Sequence, residues 1–220
     1  VVAADGPIQN LDDLIAAFNT DPDGTAVGGG SVPGGMDHLV AAMVFQDANL
    51  LPWRNLLDNI GLPLEIKGRR VADHRDKIDA LLQRVGLFGF ETKMPRELSG
   101  GMQQRASIVR ALSVDPEVLL MDEPFGALDA FTRDEMNLLI EEIWLETKKT
   151  VVFITHSIPE AVFLADRIFV MSARPGRLSR VFEIDLPRPR PLEMTVTPEF
   201  MARVAEVKGS IEHRPTNVAA

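Results

Sequence analysis

From residue 44 onward, apolar positions alternate between helical stripes and short continuous runs. Ile78, Leu81, Leu82 and Val85 recur at i, i+3, i+4 and i+7, which predicts a helix over 72–85. Met136, Leu139, Ile140 and Ile143 make a second such face within a helix over 131–147. Between them, Val118-Leu119-Leu120-Met121 predicts a strand over 117–121, and further apolar runs predict strands over 150–155 and 167–171. Val44-Phe45-Gln46 reads as the first strand of this series. Helices are expected around 55–60, 100–113 and 158–165. Such alternation specifies an α/β domain with a mostly parallel sheet covered by helices. Leu186-Pro187-Arg188-Pro189-Arg190-Pro191 reads as an extended connector before a short terminal helix.

The first 43 residues follow a different pattern. Leu11, Leu14, Ile15 and Phe18 recur at helical spacing after Asn10, a fitting N-cap, and Asp21-Pro22-Asp23-Gly24 turns the chain. Thr25-Ala26-Val27 is strand-like and leads into Gly28-Gly29-Gly30-Ser31-Val32-Pro33-Gly34-Gly35, a turn whose backbone N–H groups can face an anion. This stretch holds six Asp, no Lys or Arg and 7 of the 16 Gly, whereas the remainder carries both signs interspersed. A domain boundary is therefore placed between 43 and 44, with a short, unrelated α/β segment ahead of the main domain. The plainer account, a solvated acidic face, applies to any segment this short.

Composition narrows the function classes. A net charge of -9 argues against a nucleic-acid partner, which calls for a basic face. The absence of cysteine removes disulfides and thiolate metal sites. No apolar run approaches the roughly 18 residues of a membrane span, and the first residues have no signal-peptide pattern, so the chain is expected to be soluble.

The chemistry concentrates at the tip of the predicted strand Val118-Leu119-Leu120-Met121-Asp122-Glu123-Pro124. In a parallel sheet the carboxyl ends of strands open onto the ligand crevice. Asp122 is placed to hold Mg2+, and Glu123 to accept a proton from an attacking water. An isolated Asp-Glu pair is more often a solvated loop. Upstream, Leu98-Ser99-Gly100-Gly101-Met102-Gln103-Gln104-Arg105 puts Ser99 and two glycines at a helix start, where N–H groups unobstructed by side chains can approach a phosphate. By itself that run would be a capping serine and a turn. Gln46 and His156 likewise have bland readings as a strand-end polar group and a structural histidine. Trp53 and Trp144 are assigned to packing, and His38, His74 and His213 show no ligand spacing.

In their order along the chain, these motifs make residues 44 to 220 resemble the nucleotide-binding subunits of ABC transporters. LSGGMQQR matches the signature motif and VLLMDEP the Walker B strand of that P-loop NTPase family. Gln46 matches the glutamine loop, Leu128-Asp129 the loop between subunits, and His156 in Ile154-Thr155-His156 the switch histidine. Glu160-Ala161-Val162-Phe163-Leu164-Ala165-Asp166-Arg167-Ile168, Ser172-Ala173-Arg174-Pro175-Gly176 and the Pro-Arg repeat resemble the importers for nitrate, sulfonates or taurine. The resemblance implies catalytic roles for Glu123, His156 and Gln46, contacts to ATP from Ser99, Gly100, Gly101, Asp122 and Asp129, and Mg2+ on Asp122 and Gln46. It also implies a second ATPase subunit and transmembrane permease subunits as partners, at the cytoplasmic face of the cell membrane. Within 44–220 it divides the chain into a helical subdomain at about 47–113, a catalytic half-core at about 114–185 and a C-terminal extension at 186–220.

Two features set the chain apart from that family. The run from Leu11 through GGGSVPGG to Asp37-His38-Leu39 resembles part of the solute receptors of tripartite tricarboxylate transporters, in which Ser31, Gly34 and Gly35 would match a turn around a carboxylate ligand. The sequence also holds no G-x-x-x-x-G-K-[ST]. Its nearest imitation, Gly30 to Asp37, has Met36 and Asp37 where the lysine and hydroxyl belong, and an aspartate there repels phosphate. Gly35 and Gln46 lie 11 positions apart, whereas a βαβ unit needs roughly 30 residues. The expectation is thus an ABC-type ATPase subunit that is inactive alone. A carboxylate-binding receptor fragment and a nonfunctional fusion are the alternatives. The transported solute is not readable, because other subunits set it.

Overall fold

A computed structural model describes residues 41–172 and 176–212. The acidic Gly-rich stretch up to residue 40, with its predicted helix, strand and turn at Ser31, Gly34 and Gly35, lies outside the described residues, as do His38 and His213.

The core is a three-stranded parallel sheet in the order β1-β2-β3, formed by Ala41–Val44 (β1), Val118–Asp122 (β2) and Thr150–Ile154 (β3). Its register is set by Val44 opposite Met121 and Asp122 opposite Ile154. β1 begins and ends earlier than the run Val44-Phe45-Gln46 suggested, so Gln46 lies beyond the strand and the 43/44 boundary falls within it. Val44, Leu119 and Met121 are buried together, as both-face coverage by helices requires.

From β1 the chain enters a helical layer of α1 (Leu56–Ile66), a 3-10 turn (Val71–His74), α2 (Arg75–Arg84) and α3 (Gly100–Ser113). α1 runs on through Gly61 and Pro63, where the sequence suggested a stop. Burial of Leu56, Ile60 and Leu64 in the core outweighs the hydrogen bond that Pro63 forfeits. Gly61 is required for a close approach: a Cβ there would lie 2.6 Å from Val71 Cγ2. Asn59, fully buried in α1, binds the 51–55 turn by accepting from Leu51 N and donating to the carbonyls of Leu51, Arg54 and Asn55.

β2 leads through a loop into α4 (Ala130–Thr147), then β3, α5 (Ile158–Leu164) and β4 (Arg167–Met171). β4 pairs antiparallel with β5 (Leu178–Glu183), apart from the parallel sheet. The sequence does not signal β5, because only Phe182 in it is buried and no alternation results. A 3-10 turn (Leu192–Val196) precedes α6 (Pro198–Glu212), which is longer than the short helix expected and seats Phe200 and Val207 against the core. Trp144 packs against Lys148 and Arg188, whose charged groups lie 4.2 and 4.4 Å from its ring centre, whereas Trp53, expected to pack, is 72% exposed. No helix of the described residues is long and apolar enough to cross a membrane.

Candidate functional site

The carboxyl ends of the three parallel strands converge. Asp122 is the last residue of β2, Gln46 follows β1 by two residues and His156 follows β3 by two. One further ladder bond, Glu123 N–H to the Ile154 carbonyl at 2.9 Å, extends the β2–β3 pairing past the strand end. Glu123 then adopts φ +44°, a left-handed conformation uncommon outside glycine, and the chain turns sharply. This turn brings Glu123 Oε2 to 3.2 Å from His156 Nδ1. Gly126 lies against Gln46: a Cβ at that glycine would be 3.2 Å from Gln46 Nε2 and 3.4 Å from the Glu123 carbonyl. Gln46, Asp122, Glu123 and His156 are therefore brought to one edge of the sheet.

Behind this edge a small gap of about 20 Å³ is lined by Glu123, Gly126, Arg133, Thr155, His156 and Glu160 among others. Glu160 is buried, and that burial pushes its carboxyl above the usual range, opposed by the Thr155 hydroxyl, Arg133 and His156. Arg133 donates to the Leu128 carbonyl at 2.8 Å and so fixes the loop that follows Glu123.

That loop leads to a second group. Ser99 caps α3, its hydroxyl accepting from Met102 N–H at 3.3 Å. Gly101 allows the start of α3 to meet α4, since a Cβ would sit 2.8 Å from Thr132 Cγ2. Gly100 has nothing within 4 Å of its would-be Cβ and borders open space. Asp129 caps α4, accepting from the Thr132 hydroxyl at 2.7 Å and the Thr132 N–H at 3.1 Å, and the Thr132 hydroxyl foremost holds its carboxyl below the usual range. A cavity of about 390 Å³ lies between these two helix starts, lined by Ser99, Gly100, Gly101, Arg105 and Asp129 among others. Ser99, Gly100, Gly101 and Asp129 thus form a group separate from the strand-end group of Gln46, Asp122, Glu123 and His156, and residues 123 to 129 join the two.

α3 also grips the Gln46 loop from its other face. Buried Gln104 donates to the Phe45 carbonyl at 2.9 Å, and Arg110 donates to the carbonyls of Ala48 and Asn49 at 2.7 Å each. Sequence reasoning missed these two residues, whose partners lie about 60 positions away and leave no local pattern. Glu160 was missed as well, although Ser157-x-x-Glu160 has capping-box spacing and the Ser157 hydroxyl accepts from Glu160 N–H.

Asp122 and Gln46 offer a carboxylate and an amide oxygen, the hard donors that Mg2+ takes when phosphates and water complete its octahedron. Among the described residues no three His, Asp or Glu side chains gather to hold an ion without such help.

The chain is similar to proteins of one family. Residues 36–126 match a family model described as ABC transporter. The chain is 48% identical over 147 residues to the aliphatic sulfonates import ATP-binding protein SsuB of Bacillus licheniformis, covering 67% of this chain and 56% of that protein. It is 49% identical over 146 residues to the taurine import ATP-binding protein TauB of Rhizobium johnstonii, covering 66% and 56%. The chain thus spans little more than half the length of these relatives. A solved dimeric ATP-binding cassette in a post-hydrolysis state with ADP and Pi aligns with a TM-score of 0.57 at 35% identity, over 66% of this chain and 63% of that one. The α/β fold, with its parallel sheet and helical layer, is that of ABC ATPase cassettes.

Proposed function

Taking the described residues as part of an ABC ATPase cassette, we propose that the chain is an ATP-binding subunit of an importer for sulfonates, taurine or nitrate, one that carries a catalytic edge and a partner-facing helix start but no phosphate-loop motif in its 220 residues. The observation that carries this reading is the separation of the site residues into a catalytic edge and an open helix start, joined by residues 123 to 129. The importer type draws on the resemblance to SsuB and TauB, and nitrate on the sequence resemblance alone.

In this reading Asp122 and Gln46 would hold Mg2+, which would supply positive charge to neutralise the phosphates. Glu123 accepts the proton of the attacking water, and His156, held at Glu123 Oε2, orients that carboxylate and reaches toward the terminal phosphate. Ser99, Gly100 and Gly101 present N–H groups to a phosphate on a second subunit, and Asp129 braces the helix beside them. The partners are a second ATPase subunit and permease subunits, through which the chain associates with the inner face of the cell membrane.

Activity alone is not expected. A general base contributes about 10²- to 10⁴-fold, and only to a nucleotide that other groups hold in place. No phosphate-loop motif occurs in the 220 residues to do so. The test is titration of the purified chain with Mg-ATP, followed by calorimetry and by phosphate release. The expected result is neither saturable binding nor turnover, and turnover abolished by Glu123→Gln would contradict the absence of a phosphate cradle.

A further inference from the structure

The Pro-Arg repeat is more than a connector. Arg190 is 1% exposed, among the most buried large side chains of the described residues. Its Nη1 donates to the carbonyls of Val162 at 3.1 Å, Phe163 at 2.8 Å and Ala165 at 2.8 Å. Arg188 Nη2 takes the carbonyl between them, Leu164, at 2.6 Å. These are the carbonyls at the end of α5, which a helix cannot satisfy internally and where its dipole favours a cation.

Both arginines are themselves tied down. Glu141, buried in α4, accepts from the Arg190 backbone N–H at 2.8 Å and from Arg188 Nη1 at 3.2 Å. Asp166 accepts from Arg188 at 2.9 Å, and the Arg188 guanidinium lies 4.4 Å from the centre of the Trp144 ring. Two cations and two carboxylates balance, as burial demands. Desolvation lowers the Arg190 pKa to about 10, which leaves it charged at neutral pH.

α5 has only seven residues, too few to keep its own direction without tertiary contacts. His156 stands immediately before its N-cap, Ser157. Contacts at the far end of α5 therefore set the angle at which the helix meets the catalytic edge. We propose that Arg188 and Arg190 are positioning residues that, through α5, hold His156 against Glu123. This rests on the pairing assigned above to Glu123 and His156.

The test uses the isotopically labelled full chain, with the ring resonances of His156 assigned through His156→Gln and those of His74 as reference. Introducing Glu123→Gln is expected to displace the His156 resonances and leave those of His74 in place. In Arg190→Lys and Arg188→Lys backgrounds, which keep the charge but lose the guanidinium fork, that displacement is expected to be lost while circular dichroism shows a folded chain. A displacement of unchanged size in a folded Arg188→Lys chain would overturn the proposal, because the arginines would then serve stability alone. Should Arg190→Lys fail to fold, Arg188→Lys decides, since it forfeits one helix carbonyl and leaves Arg190 in place. Absence of any His156 displacement by Glu123→Gln in the otherwise unaltered chain would overturn the catalytic-edge reading and this inference with it.

Discussion

Glu123 and His156 meet at 3.2 Å because a single register brings them there: Asp122 pairs with Ile154, and each side chain follows its strand end by one or two residues. Any change that shifts β3 along β2 separates them. The pair is thus a consequence of sheet pairing, and the left-handed turn at Glu123 aims the carboxylate.

The two signature glycines are expected to differ. Gly101→Ala drives a methyl into Thr132 Cγ2, while Gly100→Ala extends into open space. Urea denaturation should show Gly101→Ala destabilised by about 1–3 kcal/mol and Gly100→Ala within about 0.5 kcal/mol of the parent. Equal effects would mean that α3 and α4 do not approach as described.

Glu160 gives a pH dependence of definite sign. Burial raises its carboxyl pKa, so the folded chain binds the proton more tightly than the unfolded chain does. The stabilisation from this group is complete below the ordinary glutamate value of about 4.3 and is lost as pH rises through the folded value. In Glu160→Gln that loss should disappear, seen as a flatter dependence of the urea midpoint on pH above the ordinary value. An unchanged slope would show that Glu160 does not titrate in this way.

Arg110 should be required for the Gln46 loop. Arg110→Ala removes the donor from the part-buried Ala48 carbonyl and the exposed Asn49 carbonyl, at a cost of about 0.5–1.5 kcal/mol. Amide hydrogen exchange over residues 45 to 50 should quicken, with little change in β3. Uniform quickening across the sheet would point to a general loss of stability.

The sequence carried much of this layout, and the exceptions have physical causes. The expected bounds of α3, α4 and β4 fall within a residue of those found. The helix expected around 55–60 runs on to Ile66 as α1, because tertiary burial overrides the local breaking tendency of Gly61 and Pro63. The residues of the two site groups were legible as motifs. Their separation into a catalytic edge and an open helix start was not, since only the crossover through the helical layer decides it. The role of Leu186-Pro187-Arg188-Pro189-Arg190-Pro191 was hidden for another reason: proline predicts an extended backbone, and nothing local tells that the arginines turn inward.

In the proposed function this chain offers the Ser99–Gly101 helix start to a nucleotide held by another subunit. The most direct measurement is Mg-ATP turnover by a mixture in which the chain is co-purified with a complete cassette of the same importer type. Ser99→Arg is introduced into this chain only, placing a bulky side chain where the phosphate would approach. Turnover is expected to rise above that of the complete cassette alone and to lose that gain with Ser99→Arg; equal rates for the unaltered and Ser99→Arg mixtures would rule out donation of this helix start.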